Sequence, residues 1–388
     1  MDSAEINDIR LITEFKDKTF SGFQKKKVKE ELIKSLYNSR IENACFWSAE
    51  LICSGNFIDL WDIIINYMSK YIHIGNPKLP IYINLRFHNF KDVLNNGYVN
   101  NELKLRNNKK IRKMFCELVC ILAFSPKKHS FERIKIKNDE FDITQLTNRL
   151  KADNIFYSKQ FFLGEDPKEL FIPINEFAYH ISSKSNNIVN ACYWFEWIVQ
   201  FEIISKKKRQ PCICERRSFI PVVSKNQKDI IWIIWDGIIK EAESRKNKLL
   251  SKIVSALLDL FCIRYTSSCK TRRKYIIYFA ISLLSEQVNY NIKIITNDEH
   301  VNSIINKIEL IYKDIKKNEI APETDYLFTG LVKKSNLEKS IARIEQMNIL
   351  MNINEDNANN ANNANNANNR DDNYRSDEFI SDDDEDYD

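Results

Sequence analysis

The side chains best suited to nucleophilic or metal chemistry are nine cysteines and five histidines. The histidines (His73, His88, His129, His180, His300) are scattered, and none has a partner four residues on, so the helical zinc-protease motif is absent. The best metal arrangement in the sequence is Cys212-Ile213-Cys214 with Cys262 and Cys269. Zinc pairs usually leave two residues between thiolates so that both reach one ion from a turn. Here the spacings are one and six, which predicts buried or loop thiols rather than a zinc site. An odd number of cysteines set mostly in apolar helical patterns predicts reduced thiols in an intracellular chain. Phosphate-cradling loops are excluded more firmly. The seven glycines never come closer than 20 positions, and a P-loop or dinucleotide fingerprint needs them clustered. The expectation is a protein that binds rather than catalyses, with no cofactor.

Charge offers the other chemistry. Lys206-Lys207-Lys208-Arg209 is followed by Arg216-Arg217, and a second cluster reads Lys270-Thr271-Arg272-Arg273-Lys274. Both suit phosphate contact; neither alternates with aromatics as a base-stacking platform does. From residue 355 onward twelve carboxylates face two arginines, giving −10, while residues 1–354 carry 56 basic and 41 acidic side chains, or +15. A basic body points to a polyanionic partner. In the tail, Ser376 and Ser381 precede acidic residues and are phosphorylation candidates.

These residues must be positioned by helices. Apolar side chains recur at helical spacing in Ile41 to Ile52, Trp61 to Ile72, Ile111 to Leu122, Ile188 to Val199, Ile231 to Ile239, Leu250 to Phe261 and Val301 to Ile315. A helix from Pro80 to Leu94 and one through Leu337, Ile341 and Ile344 complete the set. Only Ile134-Lys135-Ile136-Lys137 alternates like a strand. The predicted class is all-α. The predicted organisation is an N-terminal segment (1–27), a helical unit (28–131), a connector (132–168), and a second helical unit (169–288) with a basic insertion at 206–229. C-terminal helices (289–353) and a disordered Asn-rich, acidic tail (354–388) follow. No uncharged apolar stretch is long enough to span a membrane. The polar start, Met1-Asp2-Ser3-Ala4-Glu5, lacks the order of a secretory signal.

The two units share words in the same order. Asn43-Ala44-Cys45-Phe46-Trp47 returns as Asn190-Ala191-Cys192-Tyr193-Trp194, Trp61-Asp62 as Trp235-Asp236, and Arg112-Lys113 as Arg273-Lys274. The offsets of 147, 174 and 161 fit an insertion near 206–229 and a shorter later link. Internal duplication is expected.

The first unit resembles a known domain. Asn43-Ala44-Cys45-Phe46-Trp47-Ser48-Ala49-Glu50-Leu51, Ser54-Gly55, Gly75-Asn76-Pro77 and Ser125-Pro126-Lys127-Lys128 are similar to the C-terminal, clamp-loader-collar-like helical domain of MgsA/RarA/WRNIP-type AAA+ ATPases. That resemblance covers residues 40–132 and implies assembly around DNA-processing machinery, without the ATPase. The whole chain also resembles an uncharacterised family of nucleocytoplasmic large DNA viruses. The function expected is a helical binding or scaffold protein in viral DNA replication, repair or transcription. The alternatives are a virion structural protein and an enzyme on a new helical fold. The partners expected are proteins, nucleic acid and further copies of the chain, but no membrane. The expected location is the host cytoplasm or nucleus, or the virion.

Overall fold

The computed structural model describes residues 4–99, 101–128, 134–210 and 212–320. Among them the fold is all-α, with no strand beyond one isolated bridge between Lys18 and Gln24. The expected last helix, the tail, Ser376, Ser381 and His129 lie outside the described residues. No helix among the described residues is long and apolar enough to cross a membrane.

The first half contains α1 (Lys25–Tyr37), α2 (Ile41–Cys53), α3 (Phe57–Tyr67), α4 (Leu79–Asn95) and α5 (Lys109–Phe124). A short α6 (Ile143–Arg149) lies in the connector. The second half contains α7 (Phe171–Ile181), α8 (Ile188–Lys207), α9 (Ile231–Ser244), α10 (Lys248–Cys262), a single turn α11 (Cys269–Arg272) and α12 (Lys274–Ser285). Helix α13 (Asp298–Lys316) follows. Asparagines start many of these helices: the side chains of Asn108, Asn187, Asn247 and Asn297 accept from the first free backbone N–H groups of α5, α8, α10 and α13. Residues 134–137 form no strand, correcting the alternation read from the sequence; a strand needs a neighbour for its backbone groups, and among the described residues they pair with none. Helix α3 starts at Phe57 behind Asn56, and Asp59 in its first turn pairs with Lys25 and Lys29.

The shared words fall on corresponding helices. Offset 147 carries Ser39, which enters α2 with φ 53°, onto Asn186, which enters α8 with φ 45°. Offset 174 carries Phe57, the first residue of α3, onto Ile231, the first of α9. Offset 161 carries Phe124, the last of α5, onto Ser285, the last of α12. Helix α2 packs on α1 and α5; α8 packs on α7 and α12. Helix α3 touches α1 and α5; α9 touches α7 and α12. The correspondence is one of helix order, helix ends and packing neighbours. Helix α8 differs by running 20 residues against 13 in α2, about two extra turns, and so carries its C-terminus and the following insertion outward.

The halves share one hydrophobic core. Helix α4 packs on α10, and α13 lies against α2 and α5. Arg273 Nη2 donates to Asp62 Oδ1 at 2.7 Å, and Asn84 Nδ2 to Asp259 Oδ2 at 2.9 Å, both across the halves. Two of the sequence words, Gly75-Asn76-Pro77 and Ser125-Pro126-Lys127-Lys128, also meet. A Cβ on Gly75 would lie 2.4 Å from the Pro126 carbonyl oxygen, so only glycine allows that approach, and Asn76 Nδ2 donates to Ser125 Oγ at 3.3 Å.

Candidate functional site

The basic insertion begins where α8 ends. Lys206 and Lys207 lie in its last turn, where the helix dipole favours cations. Arg209 adopts φ 58°, and Gln210 N–H closes on the Ser205 carbonyl at 2.9 Å, turning the chain outward. Lys206 pairs with Glu202 at 2.7 Å. Lys207, Lys208 and Arg209 are exposed and make no ion pair among the described residues. The following loop is held to itself. Cys214 N–H donates to the Lys228 carbonyl at 2.9 Å and Arg217 N–H to the Gln227 carbonyl at 3.1 Å. Arg216 is exposed and donates to Gln227 Oε1 at 2.7 Å. Lys225 and Lys228 are exposed on the return. Ile213, Phe219 and Val223 expose more than half of their surface between these cations.

Arg217 takes the opposite course from its neighbour Arg216. It is 1% exposed and donates from both Nη atoms to Asp166 at 2.6 Å, with further bonds to the Phe161 and Glu215 carbonyls. Asp236 lies 3.5 Å from its Nε, and burial pushes that carboxyl up against the pull of Arg217. Arg217 therefore clamps the insertion to the connector and is withdrawn from the nucleic-acid candidates.

Most of the second cluster is also withdrawn. Lys270 is 4% exposed, with Nζ on Glu202 and 2.7 Å from Asp229 Oδ1. Arg273 is buried and donates to the Phe261 and Ile263 carbonyls as well as to Asp62. Lys274 is half-buried, 3.2 Å from Glu196. Of its four cations only Arg272 is exposed, and its Nη2 reaches Cys269 Sγ at 3.3 Å. The physical reason is charge compensation: acids from α3, α8 and the insertion neutralise the cluster inside the fold. The outward cations are Lys206, Lys207, Lys208, Arg209, Arg216 and Arg272, joined by Lys225 and Lys228, which stand singly in the sequence and form no basic run.

Cys212, Cys214, Cys262 and Cys269 do not assemble into a metal-sized cluster. All nine cysteines are buried and free. Burial pushes the Cys212 thiol up to about 11 and those of Cys214 and Cys262 to about 12. Burial also acts on Cys269, but hydrogen bonds from Thr266 and Arg272 outweigh it and hold that thiol below its usual range. The thiols that do converge are Cys45, Cys116 and Cys120. The sequence signal for them was Cys116-x-x-x-Cys120, one face of one helix.

A Ser–His–Glu array also forms. Ser185 Oγ lies 3.0 Å from His180 Nδ1, and His180 Nε2 lies 3.6 Å from Glu176. Glu176 accepts from the backbone N–H groups of Lys151 and Ala152 at 2.9 Å, and both Glu176 and His180 are buried. What the array does in the fold is tie the connector to α7.

No protein-family model, curated protein or solved structure matches the chain.

Proposed function

We propose that this is a helical, non-enzymatic binding protein that contacts nucleic acid through the insertion after α8. The observation that carries this reading is the sorting of charge. Of two basic clusters, one is largely neutralised inside the fold. The other is exposed at a helix end with no acidic partner for Lys207, Lys208 or Arg209 among the described residues. Phosphate neutralisation needs such cations, and exposed Phe219 adds a ring on which a base can stack. The collar-like words of the first half, and the resemblance of the whole chain to a family of large DNA viruses, support a setting in viral DNA replication, repair or transcription.

The test is a titration of the full-length chain with single- and double-stranded DNA at several salt concentrations. Replacing Lys207, Lys208 and Arg209 with alanine removes up to three phosphate contacts. The slope of log affinity against log salt then falls by about 2–3. An unchanged slope, or a parent chain that does not bind, overturns the proposal.

The tail modulates the same surface in this reading, though it lies outside the described residues. A −10 segment joined to a +15 body competes with phosphate at an effective concentration on the order of mM. Deleting residues 355–388 tightens DNA binding at low salt, and the gain fades as salt rises. Phosphate on Ser376 or Ser381 adds about −1.5 to −2 charges each and weakens binding further. Equal affinity of the two chains at low salt rules the competition out.

A further inference from the structure

The first half of the fold holds three thiols in one buried place that the proposed nucleic-acid contact does not use. Cys116 and Cys120 stand one turn apart on α5, and Cys45 faces them from α2. All three Sγ atoms lie within 4.8 Å of one another, and Cys45 Sγ is 4.0 Å from Cys116 Sγ. Metal–thiolate bonds of about 2.3 Å put three sulfurs around one ion, in a plane, about 4.0 Å apart. One edge of the triangle already has that length, and small side-chain rotations close the others.

We propose that Cys45, Cys116 and Cys120 form a three-thiolate site for one thiophilic d10 cation, copper(I) or zinc(II), which clamps α2 to α5. The donor set is all sulfur: among the described residues no imidazole or carboxylate joins the cluster. Such a set selects soft ions over magnesium or calcium. The residues are 1%, 3% and 0% exposed, so a bound ion is shielded from water and competing ligands.

Packing alone does not call for these thiols. At offsets of 147 and 161 the corresponding helices α8 and α12 carry Cys192, Ile277 and Ile281, all buried. The same kind of helix contact is thus built with two isoleucines in place of two cysteines. Each S–H bond of the trio is replaced by a metal–sulfur bond as the ion binds, and the thiol protons leave to solvent with no change of oxidation state.

The test uses the full-length chain, purified in reductant without chelator. Copper(I) is titrated against a chromophoric copper(I) chelator, and zinc(II), in a separate arm, against a zinc indicator. The expected result is one equivalent per chain of one of the two ions, a sulfur-to-metal charge-transfer band for copper(I), and a higher melting temperature. The Cys116→Ile/Cys120→Ile variant, which carries the residues of the second half, loses that equivalent and melts near the metal-free parent. If it does not fold, Cys120→Ala is read in the same way. No stoichiometric binding of either ion by the parent overturns the proposal, as does equal binding by the variant. An intact mass lighter by two hydrogens that maps to a disulfide between Cys45 and Cys116 in the reduced preparation also overturns it.

Discussion

An Asp166→Asn variant is less stable to urea than the parent by about 3–5 kcal/mol, the cost of leaving one buried charge without its partner. Asp166 is buried and takes both Nη atoms of Arg217 at 2.6 Å; it also accepts from the backbone N–H groups of Leu163 and Glu215 at 2.8 and 2.9 Å. Asparagine keeps the shape but not the charge. Arg217 would then face only Asp236, 3.5 Å away and itself pushed towards the neutral form by burial. The insertion that Arg217 anchors carries most of the outward cations, so the same variant exposes residues 212–229 to limited proteolysis and weakens DNA binding. Pairing it with Arg217→Met removes both charges and recovers much of the lost stability. An Asp166→Asn chain with the parental urea midpoint would show that the clamp adds nothing.

Trp194→Ala loses about 3–5 kcal/mol through the cavity left in the core. The indole is 1% exposed, with Tyr193 edge-on at 5.4 Å and Trp197 at 6.1 Å. Its counterpart Trp47 is only half-buried, against Phe23 and Phe46, so Trp47→Ala costs less. Thermal melts of the two variants check the order. A Trp194→Ala chain that melts like the parent yet loses a partner would make the ring a binding anchor instead.

The difference between these tryptophans shows how far a local word carries. Asn43-Ala44-Cys45-Phe46-Trp47 and its echo identify two helices because period and side-chain type act within a few residues. They do not say how deeply each helix is buried, because that depends on what packs over it. Trp47 has Phe23, from the segment before α1, on one side, whereas Trp194 lies in the shared core.

By itself the sequence determined the helical class, most of the helices in their order, and the absence of clustered glycines. Helix periodicity is a local property, so α2, α3, α4, α5, α8, α9, α10 and α13 were readable. Alternation at 134–137 misled because a strand is defined by its neighbour. The tertiary structure alone decided which charges face outward. Arg217 meets Asp166 across 51 residues and Lys270 meets Glu202 across 68, and no run of basic letters reveals a compensating acid so far away. It also decided which cysteines converge. Cys45 and Cys116 are 71 residues apart, while Cys212 and Cys214, two apart, share no cluster. Helices form from neighbours in the chain; ion pairs and thiol clusters form from neighbours in space, and only the packing of α2 on α5 and of the insertion on the connector brings those together.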